Sequence, residues 1–217
     1  MTITAAADGS ALGNPGPAGW AWYVDDSCWA AGGWPESTNN RGELTAVLEL
    51  LRATARSGQG EELLIQCDSQ YVINSLTKWR HGWKRRGWRK ADGRPVLNDD
   101  LMRELDAALT GRAVRFEWVR GHVGHPMNEA ADSRARAAAT AYQQGRAVPA
   151  GPGWTRGPSG TGDQGVAPSA PGAGTIGAAS SAGSAGADAG QAGVAEVVPG
   201  ATAARRARLR QEGGTLF

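Results

Sequence analysis

The sequence predicts an α/β domain, a mixed sheet with helices packed on it, followed by an extension that lacks a core of its own. Three observations carry that expectation. Up to Gly33, short apolar runs are separated by tight turns; from Ser37 to Gln144, apolar runs alternate with helical periodicity; and from about Ala147 the composition changes to Ala, Gly, Ser and Pro. Strands first paired through turns and then alternating with helices require both antiparallel and parallel neighbours in one sheet.

Taken in order, Ile3–Asp8 is a short strand, and Gly19–Val24 and Ser27–Gly33 form the next two, joined at the Asp25-Asp26 turn. Leu44, Val47, Leu48 and Leu51 recur at i, i+3, i+4 and i+7, which defines a helix starting in STNNRGEL and ending at Gly58. Leu63, Leu64 and Ile65 are continuously apolar, as in a central strand covered on both faces. SQYVINSL then repeats Val72, Leu76 and Trp79 at helical spacing. Beyond a basic, Trp-rich stretch come a helix over Asn98–Thr110, a strand over Ala113–Val119, the GHVGHP loop and an Ala-rich helix to Gln144.

The domain spans residues 1–146. Of the 32 glycines, 16 fall in residues 151–217, where only Trp154 and Phe217 are aromatic. Such a segment cannot bury enough apolar area to offset an ordering entropy of about 1 to 2 kcal/mol per residue. Residues 147–204 therefore read as a disordered linker, and residues 205–217 as a basic terminal peptide. No run of about 18 apolar residues exists, and MTITAAADGS has neither the positive start nor the apolar stretch of a signal peptide, so neither membrane spanning nor secretion is expected. Cys28 and Cys67 are too few for a disulfide scaffold and lack zinc-site spacing, which fits a reducing, cytoplasmic setting. A net charge of +2 does not point to a nucleic-acid partner; only local clusters can.

Four acids stand out. Asp8 ends the first predicted strand and Asp68 ends ELLIQCD, so both belong to strand ends of one sheet. Like charges brought to 4 Å repel by about 1 to 4 kcal/mol, depending on the effective dielectric. Each acid taken singly has an ordinary structural reading: a turn at Asp8-Gly9, a helix cap at Asp68 or Ser69, a capping box at Asn40-x-x-Glu43, and an i,i+4 pair between Asp132 and Arg136. Together they contribute four carboxylates, whose formal charge two divalent cations would balance. Hard oxygen donors favour Mg²⁺ or Mn²⁺ over zinc.

DGSALGNPGPAGW, TNNRGEL, CDSQY, KWRHGWKRRGWRKADGRPVLNDDL and WVRGHVGHPMNEAAD resemble, in that order and spacing, the bacterial type-1 ribonuclease H domain, over about residues 1–146. The resemblance implies a ribonuclease H-like five-stranded mixed sheet flanked by helices, in an enzyme that hydrolyses the RNA strand of RNA/DNA hybrids with two Mg²⁺ ions, leaving 5′-phosphate and 3′-hydroxyl ends. It maps the metal-binding carboxylates onto Asp8, Glu43, Asp68 and Asp132, and a mobile histidine onto His122, which would assist proton transfer or product departure. Mn²⁺ would be a substitute ion. His125 would position the loop or start the helix.

Telling a ribose strand from a deoxyribose strand calls for hydrogen-bonding groups in a wide, shallow minor groove. Asn14, Asn39, Asn40 and Gln70 are the residues that the resemblance assigns to that groove. Lys78–Lys90 holds seven Lys and Arg residues and no acid, with Lys84, Arg85 and Arg86 interleaved among Trp79, Trp83 and Trp88. Basic charge mixed with aromatics suits a phosphate backbone and sugar faces. The resemblance also implies a DNA-phosphate pocket at Thr38. Three positions depart from the family pattern: Glu36 stands near where relatives carry a basic residue, Gly82 replaces an amide-bearing residue, and Gly42 replaces a larger apolar one. Thr215-Leu216-Phe217 resembles the end of peptides that dock on the bacterial sliding clamp, a contact expected through Leu216-Phe217. Nothing demands more than a monomer. A non-catalytic hybrid-binding module and a related nuclease of the same fold are the alternative readings.

Overall fold

A computed structural model of the chain describes residues 2–55, 61–121 and 123–157. His122 and the terminal peptide, residues 205–217, lie outside the described residues. Strands β1 (Thr2–Ala11), β2 (Gly16–Asp25) and β3 (Cys28–Ser37) form an antiparallel meander. The connection from β3 to β4 (Glu62–Cys67) runs through helix α1 (Asn39–Ala53), long enough to bring β4 back parallel to β1. Strand β5 (Val114–Trp118) adds parallel to β4, and the order is β3-β2-β1-β4-β5. This is the mixed five-stranded sheet expected. The meander strands are longer than predicted, so Asp8 lies within β1, paired with Ala21, rather than at its end.

Helix α1 buries Leu44, Val47, Leu48 and Leu51, as its periodicity requires. It starts at the N-cap Thr38, whose hydroxyl accepts from the Arg41 amide at 3.3 Å, and not at Asn40. It stops at Thr54, before Gly58, where the Thr54 hydroxyl donates to the Leu50 carbonyl at 2.8 Å. In β4, Leu63, Ile65 and Cys67 are buried on the α1 side while Leu64 is only half-buried. The both-faces expectation fails there because helix α5 (Pro126–Gln143) packs mainly on β1, β2 and β3.

Between Gln70 and Arg85 the chain is helical throughout, as α2 (Gln70–Asn74), a π-turn (Ser75–Trp79) and α3 (Arg80–Arg85). The wide turn shifts the phase of the apolar stripe. Val72 and Leu76 stay buried, but Trp79 rotates out to 42% exposure and Trp83 takes its place in the core. Helix α4 (Asp99–Leu109) then packs against α1.

Two close approaches need glycine. A Cβ on Gly9 would lie 2.2 Å from the Glu43 amide nitrogen, and one on Gly19 would lie 2.1 Å from the Ala135 carbonyl. The first lets α1 sit directly on β1; the second lets the alanine face of α5, with Ala131, Ala135, Ala138 and Ala139 fully buried, sit on β2. Small residues on both sides bring the helix N-termini within reach of the middle of β1.

The domain does not end at Arg146. Residues 147–157, read from sequence as the start of the linker, run along the edge strand β3: the Ala31 amide donates to Ala150 (3.0 Å) and the Gly153 amide to Trp29 (3.0 Å). Val148 packs with Ala21 and Ala31, the Trp154 ring lies 6.3 Å from that of Trp22, and Arg156 pairs with Asp25. Composition concealed this because Trp154, beside Trp22 of β2, is the one aromatic residue in the segment. Truncation after Arg146 should lower stability by about 1 to 3 kcal/mol in urea unfolding relative to a chain ending at Gly157, the order of burying one large apolar side chain.

Candidate active site

Asp8 enters the site from the middle of β1 and is 5% exposed, with the Gly9 amide donating to its Oδ1 at 2.7 Å. Glu43 comes from the start of the second turn of α1, over the Gly9 approach. Its Oε1 accepts from Asn39 Nδ2 at 2.8 Å and its Oε2 from Ser69 Oγ at 2.6 Å, so the glutamate faces the sheet rather than closing a capping box with Asn40. Asp68 is the first residue after β4, and the N-cap of α2 is Ser69, whose Oγ also accepts from the Val72 amide at 3.3 Å. One ligand oxygen from each of Asp8, Glu43 and Asp68 lies within 4.8 Å of the others.

Asp132 stands on the second turn of α5, outside that group of three but close enough for its charge to act on Asp8. Burial, then the Asp68 carboxylate, raise the Asp8 carboxyl to about 8 against the pull of the Gly9 amide, with Asp132 and Glu43 adding to the rise. Burial raises Glu43 to about 7; the Asp68 charge adds to this, and the hydrogen bonds from Ser69 and Asn39 oppose it. Among the described residues, no lysine or arginine forms a salt bridge with any of the three. The charge held here is one that a divalent cation would relieve, and the donors are all hard oxygens. Burial pushes the neighbouring Cys67 thiol up to about 12, which keeps it neutral near pH 7.

The nucleic-acid residues expected from sequence divide into groups. Asn14 is exposed in the β1–β2 turn, Gln70 is exposed at the start of α2, and Thr38 and Asn40 are half-buried at the start of α1. Asn39 spends its amide on Glu43. Trp83 and Trp88, expected to divide between packing and substrate contact, are only 9% and 7% exposed and belong to the core, which leaves Trp79, 5.6 Å from Trp83, as the ring of that trio open to solvent. Arg85 and Arg86 are exposed, and Arg86 Nε donates to the Arg89 carbonyl at 3.2 Å. Lys84 is exposed but pairs with Asp106 at 2.6 Å, as does Arg80 at 2.8 Å. Burial alone would raise Asp106; the hydrogen bonds and charges of Lys84 and Arg80 outweigh it and hold the carboxyl below its usual range. Asp106 thus staples the basic helix to α4, a role that its place among ordinary helix-surface acids in the sequence gave no sign of. Near Thr38, the Arg41 guanidinium is committed to Asp100, at 3.2 and 2.6 Å.

Comparison with known proteins agrees with this architecture. The family model for RNase H matches residues 1–140. The chain belongs to the RNase H family. It is 57% identical over 153 residues to the ribonuclease H of Tropheryma whipplei (strain Twist), covering 70% of this chain and 94% of that one. It is 47% identical over 135 residues to the ribonuclease H of an Escherichia coli strain (E2348/69), covering 61% and 85%. Among solved structures it resembles LC9-RNase H1, described as a type 1 RNase H with the type 2 active-site motif, with a TM-score of 0.55 and 32% identity over 70% of this chain and 77% of that one. The foamy viral protease-reverse transcriptase in complex with RNA/DNA hybrid shares the fold, with a TM-score of 0.55 at 16% identity over 63% of this chain and 20% of that one. This RNase H is therefore a bacterial type-1 member of the family and a ribonuclease H enzyme. Among the described residues, no helix is long and apolar enough to cross a membrane.

Proposed function

We propose that this RNase H is an endonuclease that hydrolyses the RNA strand of RNA/DNA hybrids by two-metal-ion chemistry, leaving 5′-phosphate and 3′-hydroxyl ends. The observation that carries the proposal is the convergence of Asp8, Glu43 and Asp68 oxygens within 4.8 Å, where burial and neighbouring carboxylates make the ionised forms of Asp8 and Glu43 costly without a counter-cation. Asp8, Glu43, Asp68 and Asp132 would hold Mg²⁺, with Mn²⁺ as a substitute. Bound there, such ions activate a water and stabilise the leaving 3′ oxygen.

The chain's own groups do the rest. Asn39 and Ser69 each donate to one Glu43 oxygen and so aim the carboxylate. The Gly9 amide fixes the rotation of the Asp8 carboxylate. His122 moves a proton or helps the product leave. Asn14, Asn40 and Gln70 read the minor groove, with Thr38 at a phosphate, while the exposed Trp79 ring and the cations of Lys84, Arg85 and Arg86 hold the DNA strand. The enzyme acts as a cytoplasmic monomer, and Leu216-Phe217 makes the sliding-clamp contact.

Labelled RNA/DNA, RNA/RNA and DNA/DNA duplexes incubated with the protein and Mg²⁺ test the reading. Cleavage confined to the RNA strand of the hybrid is expected. Comparable cleavage of DNA/DNA would make it a different nuclease, and binding without cleavage would make it a hybrid-binding module.

A further inference from the structure

Trp118 at the end of β5 and Gly121 just beyond it both approach Asp68, and neither contact follows from sheet pairing. The last register pair between β4 and β5 joins Cys67 to Trp118, and the Val119 amide still donates to the Cys67 carbonyl at 3.1 Å. One residue on, the chain turns into α2 and the ladder stops. The Asp68 carbonyl is there taken by a side chain, the indole Nε1–H of Trp118, at 3.0 Å. Three residues after Trp118 the same segment returns to Asp68: Gly121 lies so near that a Cβ on it would sit 2.1 Å from Asp68 Oδ2.

Trp118 is 50% exposed, unlike Trp22, Trp83 and Trp88, so burial of apolar area is a poor account of a tryptophan at this strand end. Its polar tip points inward, onto the main chain of a candidate metal ligand, and its hydrogen bond fixes the ring. Outer-shell hydrogen bonds of this kind set how accurately a carboxylate is presented. We propose that Trp118 is a positioning residue for Asp68: the indole N–H clamps the turn after β4 while Gly121, having no side chain, leaves the carboxylate its place, so that β5 and the following loop present Asp68 to the ions. The proposal rests on the two-metal reading of the site.

Trp118→Phe keeps an aromatic ring and removes the donor. In the full-length protein it is expected to lower kcat about 3- to 10-fold with KM for the hybrid within 2-fold, and to weaken Mn²⁺ binding in calorimetry by a similar factor, toward the low end of outer-shell effects. Amide exchange in the peptide holding Asp68 and Ser69 should accelerate. Gly121→Ala, which crowds the carboxylate and leaves the indole intact, should weaken Mn²⁺ binding in the same way and so decides the matter if Trp118→Phe folds poorly. Unchanged Mn²⁺ affinity in either folded variant would overturn the proposal, as would a rise in KM alone, which would make Trp118 a substrate contact. If the wild type cleaves no hybrid, the functional reading fails on its own, while the Mn²⁺ and exchange measurements still decide what Trp118 does.

Discussion

Asp8→Asn is expected to abolish turnover and yet yield a protein more stable than the wild type once divalent ions are removed. The carboxyl is buried, faces Asp68, and titrates near 8 in the fold against 3.8 in an ordinary setting. An acid whose pKa is raised by folding binds its proton more tightly in the native state, so ion-free stability falls as pH rises from about 4 through 8. Below about pH 4 the two proteins should be equally stable. Near pH 9 the asparagine variant should gain about 2 to 5 kcal/mol, at about 1.4 kcal/mol for each tenfold change in proton affinity, because its amide oxygen can keep the Gly9 hydrogen bond without the charge. Urea unfolding in EDTA at pH 4 and 9 checks the stability, and the hybrid assay checks the activity. Equal stability at pH 9 would mean that the acids do not strain one another.

Gly9→Ala should damage both fold and chemistry. Its Cβ would lie 2.2 Å from the Glu43 nitrogen and 2.5 Å from the Gly42 carbonyl carbon, both main-chain atoms of a helix that cannot flex locally. Gly42 is itself jammed, since a Cβ there would sit 2.7 Å from the Gly19 carbonyl. Helix α1 must therefore lift from β1 and take Glu43 with it. Overpacking of this kind costs about 1 to 3 kcal/mol, and a displacement of about 1 Å at a reacting centre can cost on the order of 10²-fold in rate. Gly82→Ala is the contrast: its nearest neighbours are the guanidinium atoms of Arg86, from 3.4 Å outward, so thermal stability should hold or rise slightly. A Gly9→Ala enzyme with normal stability and rate would show that the helix–sheet approach tolerates a methyl group.

The sheet was legible because its signals are local: turns between the first three strands, and apolar periodicity in α1, α4 and α5. Asp8, Glu43 and Asp68, which the fold brings together, could be singled out through their motifs, although each had an ordinary reading alone. What stayed hidden depends on tertiary partners. Ser69 read as a helix cap, and it is one, but the same hydroxyl also aims Glu43. Trp79 fell out of its predicted stripe because a π-turn leaves no mark in apolar spacing. The strap over residues 147–157 looked like linker because its anchors, one indole, one valine, an Arg156–Asp25 pair and a pair of main-chain hydrogen bonds, are spread through a Gly- and Pro-rich segment. Gly42, an oddity in the family pattern, is explained by the approach of α1 to β1 and β2.

Metal uptake by the ion-free protein should release protons, because at pH 7 Asp8 and Glu43, at about 8 and about 7, hold protons that an ion must displace. Titrating Mg²⁺ and Mn²⁺ into the protein calorimetrically, in two buffers of different ionisation enthalpy, reads both quantities. Saturable uptake with proton release, lost or strongly weakened in Asp8→Asn, is the expected result. No uptake, or uptake indifferent to Asp8, would mean that the converging carboxylates are not a metal centre.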